Sequence, residues 1–323
     1  MTNEKTSSTR LATDKKPKRR MTANAWQLVG LAMLSVVFLG LFNYIPMAGI
    51  LFAFKDGDGS FNVVKDMLSA PWTLSNFTNL FQDEIFWTTF GNTISINLLL
   101  LLFNFPMPII FALLLNEMQN KPIKKAVQTI STFPHFISWT VFGGIILLMT
   151  DMRVGVVNPI LELLGLSSAE NPVDLYLPQY FYPKIIIASI IKGVGWGSII
   201  YVAAISGIDQ SLYEASAIDG ANRFKQMLHI TLPGIVPTIL VYLLLNIANI
   251  LTNSFEQFYV FQNNANLETT RVLATYMYDL GFGSLRKYST ATALSLFEGI
   301  ISLVLVFSTN TIAKKTTGRG ILY

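Results

Sequence analysis

The chain has 323 residues, 52% of them apolar and only 13% charged, against about 25% charged in an ordinary soluble domain. That shortage of charge excludes a soluble globular protein and places the chain in the membrane class. It has no Cys, two distant His (His135 and His229) and a formal charge of +4, which excludes a disulfide framework, a Cys-based zinc site, a thiol nucleophile and a His metal site.

Residues 1–25 carry seven Lys/Arg, ending in Lys-Lys-Pro-Lys-Arg-Arg (15–20), and read as a disordered cytoplasmic tail. Arg19-Arg20 is compatible with a twin-arginine export signal. No small-residue cleavage site follows, however, and the next apolar run is long enough to span. Six apolar runs then predict six helices: 26–54, 85–115, 127–150, 184–207, 237–261 and 289–313. Pro106 and Pro108 predict a kink in the second. The intervening segments, 55–84, 116–126, 151–183, 208–236 and 262–288, read as loops, with short helices in 55–84 and near Pro159–Leu166. With the amino terminus inside, the inner segments hold 15 of the 23 Lys/Arg and the outer loops hold 6. This bias predicts cytoplasmic amino and carboxyl termini and a cytoplasmic 208–236 loop. The expected fold is an all-α membrane protein: a basic tail (1–25), a six-helix transmembrane domain (26–313) and a short cytoplasmic tail (314–323).

The 208–236 loop stands apart. It carries Glu214, Asp219, Arg223, Lys225 and His229, so it cannot lie in hydrocarbon. Ser211 and Glu214 match a capping box, which starts a helix at Leu212. Gly220 falls where a left-handed C′ residue is wanted. A second helix is expected over 221–229, with Ala221, Phe224 and Leu228 on one stripe, stopped by Pro233 before Pro237 opens the fifth span. Small residues (Ala215, Ser216, Ala217, Ala221) allow close approach of a partner, and Phe224 and Leu228 supply an apolar anchor. The competing reading is an amphipathic linker on lipid headgroups, although such helices are usually richer in Lys/Arg.

The run Glu214-Ala-Ser-Ala-Ile-Asp-Gly-Ala, followed by Phe224, Ile230, Leu232 and Pro233, resembles the EAA loop of permease subunits in binding-protein-dependent ABC importers. Ser216 stands where that motif usually has a second Ala, a small-for-small change. Pro-His-Phe-Ile-Ser-Trp (134–139) and the closing Gly-Arg-Gly-Ile-Leu-Tyr resemble the carbohydrate-uptake branch. The resemblance implies the type I importer fold and a coupling helix seated in a cleft of a cytoplasmic ATPase. Glu214 and Asp219 would contact the ATPase or brace the loop, Gly220 would make the turn and Phe224 would fill an apolar pocket; Ala215, Ala221, Leu228, Ile230, Leu232 and Pro233 complete the ATPase-coupling set. Asp219 can alternatively cap the second helix. The implied partners are a second, related permease (a heterodimer), two ATPase subunits, an extracytoplasmic solute-binding protein and membrane lipid, with no nucleic acid. ATP and Mg would belong to the ATPase; no cofactor is expected in this chain, which is not expected to be an enzyme. The location implied is the bacterial cell membrane.

A sugar path needs hydrogen-bonding groups at membrane depth. Asn246, Asn249, Asn253 and Glu256/Gln257 are spaced to share one face of the fifth span, with Phe255, Phe258 and Tyr259 able to stack on sugar rings. Asn97 and Asn104 share a face of the second span. The alternative is interhelical hydrogen bonding. Lys192 and Glu298 sit at equal depth and are expected to pair, as a strut or in the cavity wall. Ser189, Gly193 and Gly197 form a small-residue packing face. No G-x-x-x-x-G-K-[ST] occurs, so energy must come from a partner or an ion gradient. Two rivals follow: an ion-coupled secondary transporter, and an intramembrane enzyme. The second fails because the chain has no G-x-S-x-G and no span carries two Asp.

Overall fold

The computed structural model describes residues 23–56, 68–168, 170–252, 254–283 and 286–317. The basic tail through residue 22, the closing 318–323 run and Asn253 lie outside the described residues. Among the described residues the only β pairing is two isolated bridges, Lys55–Trp72 and Ser168–Asn171; the rest is helix and connection. The chain forms two compact units, Met1–Gly49 and Ile50–Tyr323.

The first unit contains α1 (Ala23–Leu39), followed by a π turn over Gly40–Tyr44 and an α turn over Ile45–Met47. The apolar run predicted to be one helix therefore changes winding at Gly40 while its hydropathy continues unbroken from Trp26 to Phe54.

The second unit holds the other spans. α2 (Ser75–Gln82) leads into α3 (Glu84–Asn104), whose N-cap Asp83 accepts from the Ile85 amide at 2.9 Å. The helix is interrupted at Phe105, and α4 (Pro106–Glu117) continues the same span, so the interruption falls at the proline expected to kink it. The third span departs from the expected single helix. It is α5 (Lys121–Thr132) with a 3₁₀ turn over Phe133–Phe136, then α6 (Trp139–Thr150), bent by 103°. Pro134 in the 3₁₀ turn and Ser138, which caps α6 by accepting from Val141 N at 3.3 Å, divide it. α7 (Val157–Leu163) lies in the next connection.

α8 (Phe181–Ser206) is the central helix, packed against α3, α4 and α5. Gly195 allows the approach of α5: a Cβ there would stand 2.2 Å from the Ser131 carbonyl. At Gly197 a Cβ would meet the Pro108 ring at 3.0 Å, whereas Gly193 faces open space. Of the expected Ser189, Gly193 and Gly197 face, Gly197 thus lies at a close contact, whereas the closest backbone approach falls off that face, at Gly195.

Next come α9 (Gln210–Ile218), α10 (Arg223–Gln226), a π turn over Met227–Thr231 and α11 (Leu232–Ala248). Pro233 does not stop the helix, and Pro237 does not start one. Residues Arg223–Ala248 form one helical stretch with Pro237 inside it. The missing Pro233 amide falls at the end of the π turn, where the i→i−4 ladder is already interrupted. At the other end, α11 stops at Ala248 rather than Phe261. The Asn246 and Asn249 side chains turn back to the Tyr242 and Leu245 carbonyls at 2.7 and 2.8 Å, and the chain leaves the helix there.

The segment read as the 262–288 loop carries two helices among the described residues and is docked. α12 (Phe255–Tyr259), α13 (Leu267–Thr270) and α14 (Leu273–Phe282) precede α15 (Tyr288–Thr317). Leu273, Tyr276 and Leu280 are buried with Leu80, Phe86 and Leu294 in one core. Asn92 donates to the Glu268 and Arg271 carbonyls, Thr93 accepts from Leu273 N, and Tyr276 donates to Asp83 at 2.5 Å. Burial first, then the Asp83 carboxylate, push the Tyr276 phenol pKa up. A second core gathers Ile96, Phe142, Phe181, Ile185 and Phe258; a third gathers Ile109, Ala112, Tyr201, Ile205 and Ile235.

Candidate functional site

Two features stand out in the second unit: a cavity among α3, α4, α8 and α11 whose largely apolar wall carries several asparagines, and the exposed α9–α10 hairpin.

The cavity encloses ≈ 400 Å³. Its wall includes Asn97 and Asn104 from α3, Ser189 and Gly193 from α8, and Tyr242, Asn246, Asn249 and Thr252 at the end of the fifth span. The two asparagine pairs that the sequence put on separate spans therefore line one space. The proposed single face of five polar residues does not exist, because the helix ends at Ala248. Gln257, from α12, donates to the Ser189 hydroxyl at 2.9 Å and so touches the cavity wall. Glu256 is exposed, and Tyr259 stacks on Phe255 and meets Tyr278 edge-on. Phe258 is wholly buried in the core and cannot receive a sugar ring. Among the described residues the Asn104 Oδ1 is buried with no hydrogen-bond partner. An orphaned amide oxygen on a cavity wall is an acceptor held ready for a hydroxyl.

The third span adds something the sequence reading did not assign. His135, at the break, lies parallel to the Trp196 indole, centroids 4.5 Å apart, and both line the cavity. The signal was the Pro134–Ser138 interruption, which brings non-helical backbone to the cavity wall, where such backbone is tolerated in a membrane.

Lys192 does not pair with Glu298. Its ammonium donates to the Pro134, His135 and Ile137 carbonyls, and it lies 5.4 and 5.6 Å from the Trp139 and Phe142 ring centres. A helix end leaves its last carbonyls unsatisfied, and the break in the third span exposes such an end. The three Lys donors satisfy it, so a cation at membrane depth is held by backbone dipoles rather than by Glu298. Glu298 is half-buried on α15.

In the hairpin, the capping residue is Asp209, not Ser211. Asp209 accepts from the Ser211 amide at 2.9 Å, and α9 starts at Gln210. Asp lies at the N-cap because its carboxylate meets the orphan amides and the positive helix end. The Ser211 amide, then its side chain, hold the Asp209 pKa below its usual value. Gly220 has φ +80°. Ala221 N reaches the Ser216 carbonyl at 2.9 Å and Gly220 N the Ala217 carbonyl at 3.1 Å, the paired bonds of a Schellman C-cap. Asp219 is the C-cap of α9 and does not cap α10. That role falls to Asn222, which accepts from Lys225 N at 2.9 Å. α10 is a single turn, shorter than the expected 221–229 helix, because the π turn takes over at Met227.

Glu214, Ala215, Asp219 and Gly220 are all exposed, as are Phe224 (64%) and Leu228; Ala221, Ile230 and Leu232 are half-buried and Pro233 is exposed. Arg223 donates to the Glu117 carbonyl at 3.5 Å, which links the hairpin to the end of α4.

Apolar helices of membrane-crossing length, an asparagine-bearing cavity between them and a capped polar hairpin define a multi-pass membrane protein. Residues 104–316 match the family described as binding-protein-dependent transport system inner membrane component, and the chain belongs to that family. Among its relatives is protein LplB of Bacillus subtilis (strain 168), 37% identical over 287 residues, covering 88% of each chain. Another, from the same organism, is the polygalacturonan/rhamnogalacturonan transport system permease protein YteP, 37% identical over 88% of this chain and 87% of that one. A chain of a bacterial ABC transporter involved in import of the acidic polysaccharide alginate matches with a TM-score of 0.80 and 37% identity, over 91% of this chain and 97% of that one. A second alginate transporter structure, in complex with an alginate pentasaccharide-bound periplasmic protein, matches with a TM-score of 0.80 and 36% identity, over 92% and 97%. Family membership sets aside the ion-coupled secondary transporter.

Proposed function

We propose that this chain is one membrane-spanning half of an ABC importer for an oligosaccharide, driven through the α9–α10 hairpin by a cytoplasmic ATPase. The observation that carries the sugar reading is the cavity, where Asn97, Asn104, Asn246 and Asn249 converge and Asn104 keeps an unpaired buried oxygen. Amides both donate and accept, which is what sugar hydroxyls require. Relatives named for polygalacturonan/rhamnogalacturonan and for alginate make uronate-containing oligosaccharides the first class to try.

The lysine and arginine bias supports a cytoplasmic position for both termini and the hairpin. There the exposed Phe224 and Leu228 would seat in an ATPase cleft, with Glu214 and Asp219 at its rim. A second, related permease would complete the path, and a solute-binding protein would deliver the sugar from outside. ATP and Mg would act in the ATPase. Closure of its two subunits would draw the hairpins together and turn the cavity from inward- to outward-facing, and no covalent step falls to this chain.

The test is reconstitution of the full transporter in proteoliposomes with its binding protein. ATP-dependent uptake of labelled trigalacturonate, mannuronate trisaccharide, arabinotriose and lactose would be compared. Accumulation of at least one, abolished by omitting ATP, is expected. Uptake driven by an ion gradient without ATP would sink the reading.

A further inference from the structure

α9 buries no residue, so apolar packing does not fix it. Seven of its nine residues are exposed, and two are half-buried: Tyr213 and Ser216. Both are tied by side chains to the helix that follows. The Tyr213 hydroxyl shares a hydrogen bond with the Thr231 hydroxyl at 2.9 Å, and Thr231 is 1% exposed at the edge of the Tyr201–Ile205–Ile235 core. Gln226 Nε2 donates to the Ser216 hydroxyl at 2.9 Å and to the Tyr213 carbonyl at 3.2 Å, while the Ser216 hydroxyl donates to that same carbonyl at 2.9 Å.

The position occupied by Ser216 is thus more than a small residue allowing close approach. Its hydroxyl is the middle of a strap. The strap ends on the stretch Arg223–Ala248, one continuous helix of 26 residues that runs to Asn246 in the cavity wall. At 1.5 Å per residue that helix is about 39 Å long.

We propose that Tyr213, Ser216, Gln226 and Thr231 are positioning residues that make α9 and the fifth span move as one lever, so that a displacement of the hairpin reaches the cavity. This rests on the reading that the hairpin docks on an ATPase. Without the strap, α9 hangs from Gly207–Asp209 on one side and the Gly220 turn on the other, and it would follow the ATPase alone.

The chain contains no Cys, so labels can be placed without background. Spin labels at Gln210→Cys and Val241→Cys, in the full transporter in proteoliposomes, report the α9-to-span distance by pulsed electron resonance. With the strap intact, the distance distribution keeps its centre between the nucleotide-free and the ATP–vanadate-trapped states. Gln226→Leu with Tyr213→Phe is expected to shift and broaden it on trapping and to raise ATP hydrolysed per sugar imported several-fold, with the ATPase still co-purifying. Ser216→Ala alone should move in the same direction, and Ser216→Thr, which keeps the hydroxyl, should restore the intact behaviour. An unchanged distribution and unchanged stoichiometry in the double variant overturn the proposal, as does a distance that already changes in the intact protein. If the intact protein fails to co-purify the ATPase, the docking reading fails instead, and that outcome is distinct.

Discussion

The Lys192 ammonium donates to the main-chain carbonyl of His135 at 3.1 Å, so a side chain of α8 holds the broken end of the third span. The same amine serves Pro134 and Ile137, leaving no role for Glu298 as its counter-charge. Lys192→Met would take this donor from the His135 and Ile137 carbonyls at membrane depth, while the Pro134 carbonyl keeps the Ile137 amide at 3.3 Å; an unsatisfied buried acceptor costs about 1–3 kcal/mol. The purified protein is expected to melt at lower temperature, with Lys192→Arg less affected. Because the two side chains are not in contact, Lys192→Ala and Glu298→Ala should add to within about 0.5 kcal/mol. A double variant more stable than the sum would restore the ion pair.

Gly195 has the closest backbone neighbour of the α8 glycines. Its Cβ would stand 2.2 Å from the carbonyl carbon and oxygen of Ser131 and 2.5 Å from Thr132 N. Main chain cannot yield as a side-chain tip can, and overpacking typically costs about 1–3 kcal/mol, occasionally more. Gly195→Ala should lower yield and melting temperature. Gly193→Ala meets nothing within 4 Å and should leave the melting temperature alone. Equal behaviour of the two would show that α5 does not rest on Gly195.

Asn104→Leu separates cavity chemistry from packing. The Asn104 oxygen makes no hydrogen bond among the described residues, so its loss should not destabilise the fold. Uptake should fall through a higher KM. Asn246 differs, since its amide already bonds the Tyr242 carbonyl. Asn104→Leu with unchanged uptake kinetics would remove Asn104 from the sugar path.

Gly220 occupies φ +80° in open space, so only the backbone conformation restricts it. A left-handed L-residue costs about 1–2 kcal/mol. Gly220→Ala should reduce ATPase co-purification and Gly220→Asn less so, because Asn visits that region more readily.

Asp209 sets a pH dependence. Its folded pKa is depressed, so the cap contributes fully above the ordinary Asp value of about 3.9 and is lost as pH falls through the lower folded value. Hydrogen-exchange protection of the α9 amides, normalised for intrinsic exchange, should decline at that acid end. The Asp209→Asn protein, whose cap does not titrate, should show no such decline.

Hydropathy and turn chemistry made the spans and the hairpin legible: 20-residue apolar runs, the interruption at Pro106 and the left-handed Gly220 are local facts. The failures share a cause. Ser211 and Asp209 both suit an N-cap, and only the chain path out of α8 decides between them. The docked 262–283 segment looks like a loop because its anchors, Asn92, Thr93 and Asp83, are some 180 residues away in sequence. Matching depth suggested a Lys192–Glu298 pair, whereas backbone carbonyls freed by a helix break do not show in any composition. The asparagine row failed because Asn246 and Asn249 end the helix that was to display them.

The bend in the third span bears on biogenesis. α5 has 12 residues, about 18 Å of helix, too short to cross a core of about 30 Å. Its far end carries carbonyls whose donor, Lys192, is made some 55 residues later. A nascent chain halted before α8 lacks that donor for the His135 and Ile137 carbonyls, so the third segment is expected to settle in the bilayer only once the fourth arrives. The two would enter the bilayer as a pair, and the order of synthesis is written into the position of one lysine.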